Sequence, residues 1–189
     1  MNEGEHAAAD VSELWSVGHS TRPLDELVAM LREAGVVRLA DVRRYPGSRR
    51  NPQYSAESLA SSLPASGIGY VPMTELGGRR STRPDSPHTA WRNASFRGYA
   101  DYMDTPAYAR ARERLMALAR EGRTAVMCAE APWWRCHRSL ICDDFKARGW
   151  RVTHLLAPGR SQEHPWTTAA RIVDGRLNYT GAGQPDLFQ

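Results

Sequence analysis

Short continuous apolar runs alternate along this chain with stretches in which apolar residues recur every three or four positions. Runs bounded by turn residues read as buried strands, and the helical spacing reads as amphipathic helices. Leu14 to Val17 is the first run, and it leaves into a turn at Gly18-His19-Ser20. Leu24, Leu27, Val28 and Leu31 then keep helical spacing behind Pro23, which suits a first helical turn. Gly35 suits the left-handed residue that closes such a helix. Val36 to Val42 is a second strand, Ser55 caps a helix running to about Ser62, Gly67 stops it, and Tyr70-Val71 starts a third strand. Residues 77–94 are polar and broken by proline and glycine, so they read as a long loop, a lid or a disordered segment. Helices follow from Phe96 to Met103 and from Thr105-Pro106 to Gly122. Thr124 to Cys128 is a fourth strand. Cys136 or His137 opens a helix with Leu140, Ile141 and Phe145 on its apolar face, ended by Gly149, and Val152 to Leu156 is a fifth strand. Asp174-Gly175, set between alternating apolar residues, predicts a hairpin.

Strands alternating with helices predict an α/β fold with three layers: a mainly parallel sheet, helices on both faces, and a C-terminal β-hairpin. The expected organisation is a flexible tail over 1–12, one α/β domain over 13–180 and a flexible peptide tail over 181–189.

Composition narrows the class. A chain of 189 residues is long enough to bury a core, and 41% hydrophobic with 24% charged residues excludes wholesale disorder and a membrane class. The start, MNEGEHAAAD, lacks the basic and apolar regions of a signal peptide. No apolar run approaches the ~20 residues that span a bilayer, so no membrane partner is expected. Three cysteines, Cys128, Cys136 and Cys142, cannot all pair within the chain and suit a reducing cytoplasm. The formal charge is +4, and Lys146 is the only lysine among 25 basic residues. Codon bias explains arginine in place of lysine. It does not explain where the arginines fall.

In open α/β sheets, ligands bind outside the carboxyl ends of the strands. The inferred strands deliver His19 and Ser20, then Asp41 with Arg43 and Arg44, then Glu75, then Cys128 with Glu130, and finally His154 toward that edge. The sharpest local segment runs from Cys128 to Arg138. It joins a strand to a helix start, where free backbone N–H groups attract anions. Cys136, His137 and Arg138 stand at that start as anion-binding candidates with Ser20, Arg43 and Arg44. Trp133 and Trp134 are a stacking face for a base or a roof over the core.

Two catalytic readings stay open. One uses the Cys128 thiol with Glu130, His19 or His137 as base. The other uses the carboxylates Asp41 and Glu130. A phosphatase-type loop needs a cysteine, five residues, then arginine. Trp134 stands at that arginine's position and Arg135 comes one later. The cysteine spacing lacks the close pairs of a zinc knuckle, and Cys142 reads as a small core residue, so no metal or other cofactor is expected.

Several ordered motifs are Val17-Gly-His-Ser-Thr21, Asp41-Val-Arg43 with Pro46-Gly-Ser48, Glu75-Leu-Gly-Gly78, Phe96-Arg-Gly-Tyr-Ala-Asp-Tyr-Met103, Met127-Cys-Ala-Glu130 with Cys136-His-Arg138, and Val152-Thr-His154. Together they resemble the "domain of unknown function 488" family from about Trp15 to Leu156. The resemblance implies a soluble bacterial or archaeal protein and groups these residues. It implies no particular reaction.

The string Gln184-Pro-Asp-Leu-Phe188 looks like a bacterial sliding-clamp-binding peptide, with Leu187 and Phe188 as apolar anchors and Gln184 as the orienting hydrogen-bonding group. Arg43, Arg44, Arg49 and Arg50 flank the second strand's exit, and Arg79, Arg80 and Arg83 follow the third. Such clusters suit phosphate contacts. The sequence therefore predicts an enzyme, a hydrolase or lyase, acting on nucleic acid or a nucleotide at an anion-binding edge, in DNA repair or replication. The alternatives are a non-catalytic nucleic-acid-binding or adaptor module and a thiol or metal enzyme on a small anion.

Overall fold

Each apolar run predicted from the sequence forms a strand in the computed structural model, which describes residues 12–47 and 49–181. The elements are β1 (Glu13–Gly18), α1 (Leu24–Glu33), β2 (Arg38–Asp41), α2 (Ala56–Ser62), β3 (Gly69–Pro72), α3 (Ala94–Met103), α4 (Pro106–Glu121), β4 (Thr124–Cys128), α5 (Arg138–Ala147), β5 (Arg151–Ala157), β6 (Arg160–Glu163), β7 (Arg171–Val173) and β8 (Arg176–Asn178). The helix boundaries follow local chemistry. Ser55, Asn93 and Thr105 each accept a backbone N–H from the first turn of the helix they precede, and Pro106 occupies a position whose N–H has no helical partner. Gly35 closes α1 at φ 66°, in the left-handed region.

The main sheet has the order β3-β2-β4-β1-β5-β6. Its first five strands are parallel, and β6 runs antiparallel to β5. Side chains alternate between its faces, as the pleat requires. Trp15, Val17, Leu39, Ala125 and Met127 pack under α1 and α2 with Leu27, Leu31 and Leu59. Leu14, Ala40, Val126 and Val152 pack under α3, α4 and α5 with Tyr99, Leu115, Leu140 and Phe145. Each fully buried large apolar side chain contributes about 1.5–3 kcal/mol. β7 and β8 form the expected hairpin, with Asp174 and Gly175 both at positive φ.

β6 has no sequence signature because Arg160-Ser-Gln-Glu163 is polar and exposed throughout. Backbone pairing alone recruits it, and its charges suit an edge strand. The 77–93 segment carries no helix or strand beyond turns, is largely exposed, and is anchored at particular points. Asp101 accepts the Arg83 N–H at 2.8 Å, and Trp91 packs against Phe96 and Tyr179. Among the described residues no helix is long and apolar enough to cross a membrane. Gln184, Leu187 and Phe188 lie outside the described residues.

The topology marks out the carboxyl end of β4. β4 lies between β2 and β1. The chain leaves β1 and β2 toward the α1/α2 face and leaves β4 toward the α5 face. Neighbouring strands whose connections depart to opposite faces open a gap at their carboxyl ends, and this is where α/β proteins place their chemistry.

Candidate functional site

Cys128 is the last residue of β4. Its carbonyl accepts the His19 N–H at 3.0 Å, and the Ala129 carbonyl accepts the Ser20 N–H at 2.9 Å, so the β1 and β4 exits run on together. Gly18 is what permits this. A Cβ there would stand 2.0 Å from the Glu130 carbonyl oxygen. After crossing Gly18 the chain makes a 3₁₀ turn over Trp133–Arg135 and returns, bringing Cys136 and His137 back to Cys128. The two sulfurs and His137 Nδ1 lie within 4.8 Å of one another. His137 Nδ1 is 3.6 Å from Cys136 Sγ and 4.0 Å from Cys128 Sγ.

Neighbouring motifs hold this trio. His137 Nε2 is 3.0 Å from the Val42 carbonyl. A carbonyl only accepts, so in the neutral ring the proton sits on Nε2 and the Nδ1 lone pair faces the sulfurs. The two glycines at 77–78 let the β3 exit close in. A Cβ on Gly77 would be 2.6 Å from Arg44 Cα, and one on Gly78 would be 2.9 Å from His137 Nδ1. Gly98 brings α3 against the same loop, and Tyr99 donates to the Leu76 carbonyl at 2.7 Å while its ring lies 5.0 Å from that of His137. Both cysteines are buried and free. Burial opposes a thiolate at Cys136, but the hydrogen bond from Cys128 and the fields of His137 and Arg138 carry its pKa well below the ordinary thiol range. That same hydrogen bond, with burial, pushes Cys128 well above it.

Asp41 and Arg43 lie beside the trio but are bound to each other. The Asp41 carboxylate takes Arg43 Nε at 2.8 Å, Arg43 Nη2 at 2.5 Å, the Arg43 backbone N–H at 3.1 Å and the Tyr70 hydroxyl at 2.8 Å. An ionised carboxylate offers about four acceptor sites, so Asp41 has none left over. Arg43 also donates to the Tyr54 carbonyl at 2.8 Å. His19 is stacked on Tyr54 at 4.0 Å, with Nδ1 on the Ser20 carbonyl and Nε2 facing Arg43 Nη1 at 3.3 Å. Burial, opposed in part by the bond to the Ser20 carbonyl, lowers its pKa to about 4. Asp41, Arg43 and His19 are therefore spent on bracing one another and Tyr54.

Other sequence-derived candidates are placed elsewhere. Arg138 is 1% exposed and lies beneath the loop, bonded to Ser16 Oγ at 2.8 Å and to the Glu130 carbonyl. It is internal, where a phosphate contact needs an exposed guanidinium. The amide donors at the start of α5 are partly taken too, since the Cys136 carbonyl accepts the Ser139 N–H and the His137 carbonyl accepts that of Leu140. Glu130 has an exposed side chain. Glu75 pairs with Arg114 on α4. Ser20 is half-buried at φ 49° and serves through its backbone. Trp133 is buried and stacks on His154 at 4.5 Å, while Trp134 is 56% exposed.

His154 does not reach the edge. It lies mid-strand in β5 and belongs to a second buried group with His164 and Cys142. His154 Nε2 meets His164 Nδ1 at 2.9 Å, and His164 Nε2 meets Asp143 at 3.0 Å. Asp143 also accepts from Thr167 N, Thr167 Oγ1 and Tyr179 OH. Sequence reading missed Asp143 and His164, because long-range burial leaves no local pattern. A cavity of about 740 Å³ lies away from the edge, among His88, Asp104, Tyr108, Arg112, Asp144 and Tyr179. Part of its ionisable lining is cross-paired, His88 with Asp104 and Asp144 with Tyr108.

Exposed groups on the segments leaving the sheet include several arginines and aromatics beside Glu130. Arg49, Arg50, Arg79 and Arg135 are exposed, and Arg44 is half-buried. Tyr45, 64% exposed, has the Arg44 and Arg79 guanidinium carbons 5.9 and 6.0 Å from its ring centre. Sequence reading noted the arginines but passed over Tyr45. Its place within Arg43-Arg-Tyr45 is the signal that marks it, since aromatics interleaved with arginines suit nucleic acid.

A protein-family model, "Domain of unknown function DUF488", matches residues 23–144. No curated protein and no solved structure matches the chain.

Proposed function

The chain belongs to the DUF488 family, and from its site geometry we propose that it is an enzyme acting on single-stranded nucleic acid or a nucleotide at the carboxyl edge of the sheet. One observation carries this reading. Cys128, Cys136 and His137 converge at the carboxyl end of β4, and the segments leaving the sheet beside it present arginines and exposed aromatics. Arginine side chains supply phosphate contacts, and Tyr45 and Trp134 supply faces on which bases stack. The buried trio supplies the reactive groups. The carboxylate alternative is weaker, because Asp41 is saturated by Arg43 and Tyr70.

The test is fluorescence anisotropy with short single-stranded DNA and RNA oligonucleotides over a range of salt concentrations. Wild-type affinity should fall as salt rises, with a slope of about 0.7 in log K per log salt for each phosphate contact. Arg44→Ala with Arg79→Ala should flatten that slope, and Tyr45→Ala should weaken binding about tenfold at every salt concentration. No binding by the wild type at low salt overturns the reading. The Gln184–Phe188 peptide adds recruitment by a sliding clamp. Removing 184–189 should then abolish clamp binding and leave oligonucleotide affinity unchanged, whereas retained clamp binding sinks that part.

A further inference from the structure

The geometry points to a zinc-type divalent metal site held by Cys128 Sγ, Cys136 Sγ and His137 Nδ1, with one tetrahedral position left for water or a substrate oxygen. The distances fit. Zinc bonds of about 2.3 Å to sulfur and 2.0–2.1 Å to nitrogen at tetrahedral angles put S and N about 3.6 Å apart. The observed separations are 3.6 and 4.0 Å. The surroundings fit as well. Ligating histidines usually donate the other ring N–H to a carbonyl or carboxylate, which fixes the tautomer. His137 Nε2 does this with the Val42 carbonyl at 3.0 Å. Gly78 keeps the space beside His137 Nδ1 free of a side chain, since a Cβ there would lie 2.9 Å away.

The ligand types select the ion. Two thiolates and an imidazole suit zinc, and three protein ligands with an open fourth position mark catalytic sites, where structural sites are closed by a fourth. The second buried trio lacks this geometry. His154 Nε2 and His164 Nδ1 are 2.9 Å apart, closer than the roughly 3.3 Å between two nitrogens on one tetrahedral zinc. There the rings are hydrogen-bonded to each other. Its residues therefore serve as controls.

Metal binding at Cys128, Cys136 and His137 stands on these distances. What the metal does rests on the proposed nucleic-acid reading. A metal at the edge polarises a phosphoryl oxygen or lowers the pKa of a bound water toward neutrality.

Cobalt(II) titration of the purified, metal-stripped full chain tests the site. One equivalent should produce thiolate-to-cobalt charge-transfer absorption and the intense visible bands of four-coordinate cobalt, and zinc should displace it. Cys128→Ser, Cys136→Ser and His137→Gln should each lose those bands, while Cys142→Ser and His154→Gln keep them. The absence of charge-transfer absorption in the wild type overturns the site, and so does its loss in Cys142→Ser with retention in Cys136→Ser. Wild-type protein gives a second readout that needs no variant to fold. Zinc should protect Cys128 and Cys136 from alkylation, with a chelator restoring reaction. Protection lifted only by a reductant would mean a disulfide and overturn the metal. Oligonucleotide anisotropy on the same samples separates the two proposals. Binding without metal sinks only the metal, and metal without binding sinks only the nucleic-acid reading.

Discussion

Replacing Asp143 by alanine should lower the stability of the fold by about 3–5 kcal/mol, the cost of leaving buried partners of a carboxylate unpaired. Asp143 is fully buried and accepts from His164 Nε2 at 3.0 Å, Thr167 N at 3.1 Å, Thr167 Oγ1 at 2.6 Å and Tyr179 OH at 2.9 Å. These donors come from the chain after β6 and tie it to α5, the helix whose start carries Cys136 and His137. At about 2–4 °C per kcal/mol for a chain of this size, the melting temperature should drop by about 10 °C. Asp143→Asn keeps an acceptor and should fall between the two. Thermal and denaturant unfolding measure this, and a loss below about 1 kcal/mol would mean the network contributes little. Two buried histidines, His154 in this region and His19 at the carboxyl edge, set an acid limit. Burial and the His164 field hold His154 at about 2, and burial holds His19 at about 4. Unfolded histidine titrates near 6.5, so below about pH 6.5 the unfolded state binds protons that the folded state refuses. The contribution is complete above that pH. It falls by about 1.4 kcal/mol per histidine for each pH unit down to the folded value. His154→Gln should flatten the acid limb.

Asp41→Ala is the second large effect. Asp41 and Arg43 are 1% and 6% exposed. Burial opposes the Arg43 charge, and the bidentate bond to Asp41 outweighs it, raising its pKa. Removing the carboxylate strands a buried guanidinium and should cost about 3–5 kcal/mol. Removing both partners, as Asp41→Ala with Arg43→Met, should recover more than half of that, because the uncompensated charge is gone. If Asp41 were a reactive base, the single variant would lose turnover at unchanged stability. Denaturant midpoints of the two variants distinguish these outcomes.

Most of the sheet was legible because buried strands advertise themselves. Thr124 to Cys128 is apolar or small throughout and bounded by Gly122, and Thr105-Pro106 marks a helix start by two independent signals. β6 was illegible because an exposed edge strand has no apolar period. The site was half legible. The rule that ligands gather at strand carboxyl ends brought Cys128, Asp41 and His19 to one edge. It did not say which groups were already spent on one another. Arg43 sits two residues from Asp41, the right spacing to saturate it, and Arg138 sits one residue past His137 yet points into the core. The cysteines looked too far apart for a metal because the spacing rule assumes a short knuckle. Here a 3₁₀ turn doubles the chain back across Gly18 and brings Cys136 to Cys128. In the sequence, the glycines at 18, 77 and 78 read as turn or loop residues and Gly98 as part of a helix. In the fold they are the places where segments carrying the site approach closest.

The central claim is that the carboxyl edge around β4 is where the substrate binds. Hydrogen–deuterium exchange of the full chain, with and without a saturating short single-stranded oligonucleotide, tests it most directly. The account predicts slowed exchange in 43–47, 77–80 and 129–137, with the 171–178 hairpin unchanged. Protection confined to the cavity between His88 and Tyr179, with no change at 129–137, would contradict it.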